Sequence, residues 1–339
     1  MMLRLFAFVA ALFPFTAAAH EVYVLTPEEI SAAMSAPTLD FFLVIAEHFH
    51  QFLFWGLVTI IVVSTVFAIS ISRKLEEICI PLITRAKHIA PYLVRVGLGA
   101  SVMLGALNGA LLGPELPLLP IFGEANAIAA SAFLLAGALI ILNQYAIVAA
   151  AIVLIGLGAL ALSHGYYLLT YVDFFGALAF VVLDDSSPKV LRHYPPALSR
   201  FIHRYAPYRW AILRVAFGFS VMFASLYAKF LHNSLALAVV ERYDLTSLAI
   251  FSAFTPEFLV LGAGIIELLA GLMLIVGFEV RHTSLFLAFW LTLSLLYFQE
   301  AVWPHAILFG LGGAFLLYGY DKYSLEGYFF KKGKREPVL

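Results

Sequence analysis

Val94-Arg95-Val96-Gly97-Leu98-Gly99-Ala100-Ser101-Val102-Met103 recurs later in the chain as Leu213-Arg214-Val215-Ala216-Phe217-Gly218-Phe219-Ser220-Val221-Met222. Ala90-Pro91-Tyr92 precedes the first block and Ala206-Pro207-Tyr208 the second. The match resumes downstream, Ala136-Gly137-Ala138-Leu139-Ile140 against Ala270-Gly271-Leu272-Met273-Leu274, and Phe175-Gly176 against Phe309-Gly310. Self-similarity of this kind predicts tandem copies of one structural unit. Working outward, we expect a first four-helix unit at 92–183, a cytoplasmic linker at 184–209 and a second four-helix unit at 210–320. A first transmembrane helix with its cytoplasmic linker occupies 39–91, and a basic cytoplasmic tail occupies 321–339.

Composition sets the solvent. A hydrophobic fraction of 63% with 12% charged residues is far from a soluble domain, in which about a quarter of residues are charged. A helical span needs about twenty apolar residues. Nine stretches qualify when short ones tilt or pair: 39–71, 92–112, 126–142, 145–163, 166–183, 210–231, 257–278, 282–299 and 303–320. The expected class is therefore all-α, a polytopic membrane protein of two tandem four-helix bundles plus one N-terminal transmembrane helix.

Charge orients the array. Arg73, Lys74, Arg85 and Lys87, then Lys189, Arg192, Arg200, Arg204 and Arg209, then Arg281, then Lys322 and Lys331 to Arg335 fall in alternate connections. The opposite connections carry Glu115, Glu124, His164, Glu241, Asp244 and Glu300, with Arg242 the one arginine. Positive residues stay on the cytoplasmic side during insertion, so the N-terminus is expected outside and the C-terminus in the cytoplasm. Both units begin and end inside, which makes the repeat parallel. At the start, Arg4, the apolar run Leu5 to Phe15 and Thr16-Ala17-Ala18-Ala19 form a secretory signal pattern. Cleavage after Ala19 would leave a periplasmic segment at 20–38; an uncleaved anchor is the alternative.

Several classes are excluded. A net charge of -1 opposes nucleic-acid binding, which needs a concentrated basic surface. The basic tail suits retention and anionic headgroups of the lipid bilayer. With Cys79 the single cysteine, the chain alone forms no intramolecular disulfide and runs no dithiol chemistry. Neither a phosphate-binding glycine loop nor a nucleophile elbow is present.

The second unit resembles the DoxX family of bacterial membrane proteins, which includes the DoxD-type subunit of thiosulfate:quinone oxidoreductase. The resemblance rests on Leu213-Arg214-Val215-Ala216-Phe217-Gly218, on Lys229 near the end of that helix, on Ala263-Gly264-Ile265-Ile266-Glu267-Leu268-Leu269-Ala270-Gly271-Leu272, and on Trp303-Pro304-His305, spanning Tyr208 to Gly319. The first unit resembles a degenerate copy, with Phe133 in the place of Glu267 and Ala110 in that of Lys229. The resemblance implies a bacterial inner membrane, one family site per chain, and respiratory or sulfur redox chemistry with a quinone or redox partner.

Ionisable groups within a bilayer are costly and default to functional candidates. Glu267 leads, because its helix holds no other charge within the membrane and Gly264 and Gly271 admit close neighbours. It serves either as a proton carrier or quinone partner, or as a structural ion pair with Lys229. With His305 these are the candidate catalytic residues, in a polar pocket opening outward. Glu47, His50, Asp173 and Tyr227 are the candidate cofactor-binding groups. Glu47, His50 and Gln51 share one face of a continuous helix. The residues name no cofactor: a quinone, with its head group at Glu267, is one candidate, and a haem held by His50 with His164 or His305 is a lesser one. His20, if cleavage makes it the N-terminus, would join amine and imidazole in a copper-type chelate; an ordinary exposed terminus is the favoured alternative. His203 and the other cytoplasmic histidines are expected in solvent or headgroup contact, and Trp210, Trp290 and Trp303 as interfacial anchors or packing residues. A transporter or metal-handling protein, or a non-catalytic assembly factor, are the competing functions.

Overall fold

The computed structural model describes residues 24–184, 195–248, 254–300 and 302–328. The proposed signal, His20 and the basic run Lys331 to Arg335 lie outside the described residues. Among those described, regular structure is helical, with one isolated bridge between Ala110 and Pro117 and no strand. The protein is an all-α polytopic membrane protein. Lys87–Leu107, Leu118–Ile141, Pro196–Leu231 and Pro256–Val276 are long and apolar enough to cross a bilayer, and shorter apolar helices cover Phe54–Phe67, Ala146–Leu160 and Trp303–Tyr318.

Chain contacts divide the molecule into two compact units, Met1–Pro81 with Ala224–Leu269, and Leu82–Phe223 with Ala270–Leu339. This division differs from the tandem bundles expected from the repeat. Its physical reason lies in the second unit, where helices from the two repeated stretches share one core.

In the first unit, α1 (Pro27–Ser35) starts with a capping box: Thr26 Oγ accepts from Glu29 N–H, and Glu29 Oε2 accepts from Thr26 N–H, satisfying two orphan donors reciprocally. Asp40 caps α2 (Phe41–His48) by accepting from Phe42 N–H. The chain then breaks, and α3 (Phe52–Ala86) begins anew. The uninterrupted helix expected over 39–71 is therefore two helices. Around the break, His48 Nδ1 bonds the Val44 carbonyl at 2.8 Å and Trp55 Nε1 donates to the Phe49 carbonyl. The N-terminal segment is also anchored. Asn233, opening α11 (Asn233–Arg242), accepts from Leu39 N–H at 2.9 Å and donates to the Leu39 carbonyl at 2.7 Å, while Ser234 Oγ donates to the Ala33 carbonyl. An exposed ion pair joins Arg242 to Glu29.

The second unit is built from α4 (Ala90–Leu107), α6 (Asn126–Ile141), α7 (Ala146–His164), α8 (Val172–Asp184), α9 (Pro196–Tyr205), most of α10 (Arg209–Ser225), the end of α12 (Pro256–Val276), α13 (Val280–Phe298) and α14 (Ala306–Tyr318); the short α5 (Leu118–Phe122) lies in the α4–α6 connection. Matched sequence positions make matched contacts here. A Cβ on Gly99 would meet the Gly137 carbonyl at 2.6 Å, and one on Gly218 would meet the Gly271 carbonyl at 2.6 Å. A Cβ on Gly97 would lie 2.9 Å from the Gly310 Cα, while Gly176 is seated against Ala216. Ser101 Oγ accepts from Ile307 N–H, and Ser220 Oγ donates to Asp173 Oδ1. The opening helix of each stretch thus packs on the closing helix of the other. Lipid supplies no hydrophobic force between helices, so such backbone approach through small residues carries the packing.

Buried ion pairs close one end of these helices. Arg95 meets Asp184 at 2.6 Å, and Arg209 meets the same carboxylate at 3.0 Å. Arg214, 2% exposed, pairs with Asp321 at 2.8 Å and donates to the Leu274 and Ile275 carbonyls at the end of α12. Gly277, at φ +74°, turns the chain there, and its carbonyl accepts from Glu326 N–H while Glu326 Oε2 accepts from Val280 N–H. Asp321, Ser324, Glu326 and Gly327 are buried. The start of the expected basic tail, residues 321–327, is a strap packed into the bundle end, because its carboxylates satisfy buried arginine and backbone donors. Trp210 is a packing residue, stacked on Tyr318 with centroids 3.7 Å apart.

Candidate functional site

The first site forms where α10 loses its regular pitch. Leu226–Leu231 is a π-helical turn, a feature that is rare and frequent at functional sites. On it Lys229, 1% exposed, extends to Glu267 of α12, also 1% exposed, with Nζ 2.9 Å from Oε2. Of the two roles open to Glu267 from the sequence, the ion pair is present. Gly264, one turn before Glu267, makes the approach possible: a Cβ there would meet Phe230 Cε2 at 2.6 Å and Lys229 Cβ at 3.4 Å. Ser225 Oγ donates to the Gly264 carbonyl at 3.1 Å, and Phe41 packs edge-on against Phe230. A buried ammonium facing a carboxylate is retained only when geometry compensates desolvation.

The second site lies in the second unit. Gln299, at φ +55°, ends α13, and Glu300 next to it meets His305. Glu300 Oε2 is 3.1 Å from His305 Nε2, with both side chains at zero exposure, and Glu300 Oε1 accepts from Ser294 Oγ at 2.6 Å. His305 directly precedes α14, whose Ile307 N–H is taken by Ser101. Sequence reasoning placed Glu300 only in an outer connection. Its signal was a carboxylate five residues before a histidine in an uncharged stretch.

The remaining candidates fall elsewhere. Asp173 is buried against Ser220, whose hydroxyl also meets the Thr170 carbonyl, and this is a packing contact between α8 and α10. Tyr227, half-buried, has its ring 4.6 Å from that of His232. Glu47 and His50 are exposed beside the break after α2, so the face they were expected to share with Gln51 does not exist; His48 instead stacks on Phe258 at 5.4 Å. Among the described residues no group of three His, Cys, Asp or Glu is placed to hold a metal ion.

Residues 209–300 match the DoxX family. The chain carries a DoxX domain. The domain contains Lys229, Glu267 and Glu300, and it ends before the Trp303-Pro304-His305 turn that the resemblance had included. The first repeated stretch lies outside the match. No curated protein and no solved structure matches the chain. Within the DoxX domain, the Lys229–Glu267 pair is the ionised constellation its helices bring together in the first unit.

Proposed function

We propose that this DoxX-domain protein is an inner-membrane subunit or accessory of quinone-linked respiratory or sulfur redox chemistry, with the Lys229–Glu267 pair as the polar anchor for a quinone head group. The observation that carries this reading is the burial of both charges inside the DoxX domain, at a π-helical turn. An ammonium is a donor and a carboxylate an acceptor. The Lys229 ammonium would donate to a quinone carbonyl and the Glu267 carboxylate would accept from a quinol hydroxyl, the interconversion taking two electrons from a redox partner together with two protons. Ionisable residues within a membrane mark substrate and proton pathways and are functional candidates by default. His305 with Glu300 supplies a second buried proton-holding couple, and Tyr227 a flanking hydroxyl.

The same reading places the mature N-terminus outside and the C-terminus in the cytoplasm, supported by the alternation of basic connections. It also takes 92–183 and 210–320 as tandem copies, supported by the paired contacts at Gly99 and Gly218 and at Ser101 and Ser220. The test is extraction and mass spectrometry of quinone from detergent-purified protein, with Glu267→Ala beside it. Retention by the natural chain and loss in the variant are expected. Quinone-free protein, together with unchanged respiration in a deletion strain, refutes the reading.

A further inference from the structure

The helical run Pro196–Leu231 contains 36 residues, more than a membrane needs. A span takes about twenty residues, and α10 with the π-helical turn already supplies Arg209–Leu231, which leaves α9 and the turn Ala206–Tyr208 ahead of it. Tilt absorbs part of the excess, and the rest must stand among headgroups. Its first thirteen residues, Pro196 to Tyr208, carry Arg200, His203 and Arg204 and no Asp or Glu. Arg200 Nε donates to the Pro196 carbonyl and Arg204 lies over the Tyr205 ring; neither meets a carboxylate among the described residues. The nearby Asp184 is taken by Arg95 and Arg209.

Rings extend this surface. Phe201 contacts Tyr205 at 4.7 Å, Tyr205 contacts Tyr208 at 6.3 Å, and Tyr208 stacks on Tyr323 at 4.7 Å, with Lys322 over the Tyr323 ring. Phe201 is 54% exposed, Tyr208 41% and Tyr323 44%. Ile202 is the buried residue of α9, enough to seat the helix while its cations and rings face outward. Tyrosines with an apolar body and polar tip collect at the headgroup level, and basic side chains there attract anionic lipid.

We propose that α9, with Tyr208, Lys322 and Tyr323, forms a binding site for an anionic phospholipid: Arg200, Arg204 and Lys322 meet the phosphate, and the rings cover the glycerol and upper acyl chains. The site is independent of the Lys229–Glu267 reading. The full chain, stripped of lipid in neutral detergent, is titrated with phosphatidylglycerol, with phosphatidylcholine and with inorganic phosphate, following bound lipid by native mass spectrometry and thermal stability. Phosphatidylglycerol is expected to bind and stabilise, and the other two to do neither. Arg200→Gln with Arg204→Gln is expected to weaken binding about thirtyfold, given the usual worth of each cation at an anionic surface, while Arg200→Lys with Arg204→Lys keeps most of it. In a Phe201→Trp variant, brominated phosphatidylglycerol is expected to quench the new indole, which reads the site without disturbing its charges. Equal binding of phosphatidylcholine, stabilisation by inorganic phosphate alone, unchanged affinity in the double glutamine variant, or an unquenched indole overturns the proposal.

Discussion

Removing one partner of the Lys229–Glu267 pair should be far more damaging than removing both. The two groups are 2.9 Å apart with side chains 1% and 2% exposed, so Lys229→Met leaves a carboxylate in surroundings that cannot hydrate it. Breaking a buried pair in this way costs about 3–5 kcal/mol, whereas apolar replacement of both partners is often neutral or stabilising. Intramembrane charges carry a penalty of similar size, about 3 kcal/mol each on insertion scales. Taking about 3 kcal/mol for Lys229→Met, the unfolding equilibrium in mixed detergent shifts roughly 150-fold. Glu267→Leu behaves similarly, and the double variant Lys229→Met with Glu267→Leu recovers most of the loss. The assay is equilibrium unfolding by sodium dodecyl sulfate in mixed micelles, with quinone content measured on the same preparations. The expected outcome separates fold from chemistry: the double variant is stable and quinone-free. A double variant whose cost equals the sum of the two singles would refute the coupling, and with it the claim that the pair is desolvated.

Gly97→Ala is expected to destabilise by about 1–3 kcal/mol, the usual cost of overpacking, because its methyl would meet Gly310 backbone; Gly158→Ala, where nothing lies within 4 Å, should be neutral or mildly stabilising, and thermal denaturation of the two compares them directly. Asn233→Ala removes both hydrogen bonds to Leu39, about 2 kcal/mol at ordinary values, and limited proteolysis should then cut near residues 36–40 while the natural chain resists. The Thr26 N–H, with smaller help from Arg242, holds the Glu29 carboxyl below its ordinary value of 4.5. A lowered folded value means its contribution is complete above about 4.5 and fades as pH falls through the lower folded value. Hydrogen exchange across residues 26–31 should show α1 loosening in that acidic window, and Glu29→Gln should remove the pH dependence.

What was legible in the sequence was what local chemistry decides. Apolar run length locates helices, but only four of the nine expected stretches hold described helices long enough to span; a lone glutamate among glycines at 264 and 271 marks Glu267, with Lys229 as its ion-pair partner. The break after His48 is hidden because Glu47, His50 and Gln51, at three- and four-residue spacing, read equally well as one polar face of a continuous helix; only the turn at 49–51 reveals two helices. The arginine clamps were hidden by distance along the chain, since Arg95 and Asp184, or Arg214 and Asp321, share no local pattern. The strap was misread for a related reason: Lys322 and the charged residues after it look like solvent-loving tail, while Asp321 and Glu326 are the acids that α10 and α13 require. Glu300 escaped notice because a loop carboxylate carries no mark of the left-handed turn that folds it onto His305.

The strap also sets an order of events. Chains are made from the N-terminus, so Arg214 enters the bilayer well before Asp321 has been synthesised, and the Val280 amide waits likewise for Glu326. Through that interval a guanidinium destined for a dry site has only transient company, from water, headgroups or the insertion machinery. Chains truncated before Asp321 should therefore be the ones most readily captured by quality-control proteases, and addition of residues 321–326 is the step that releases them.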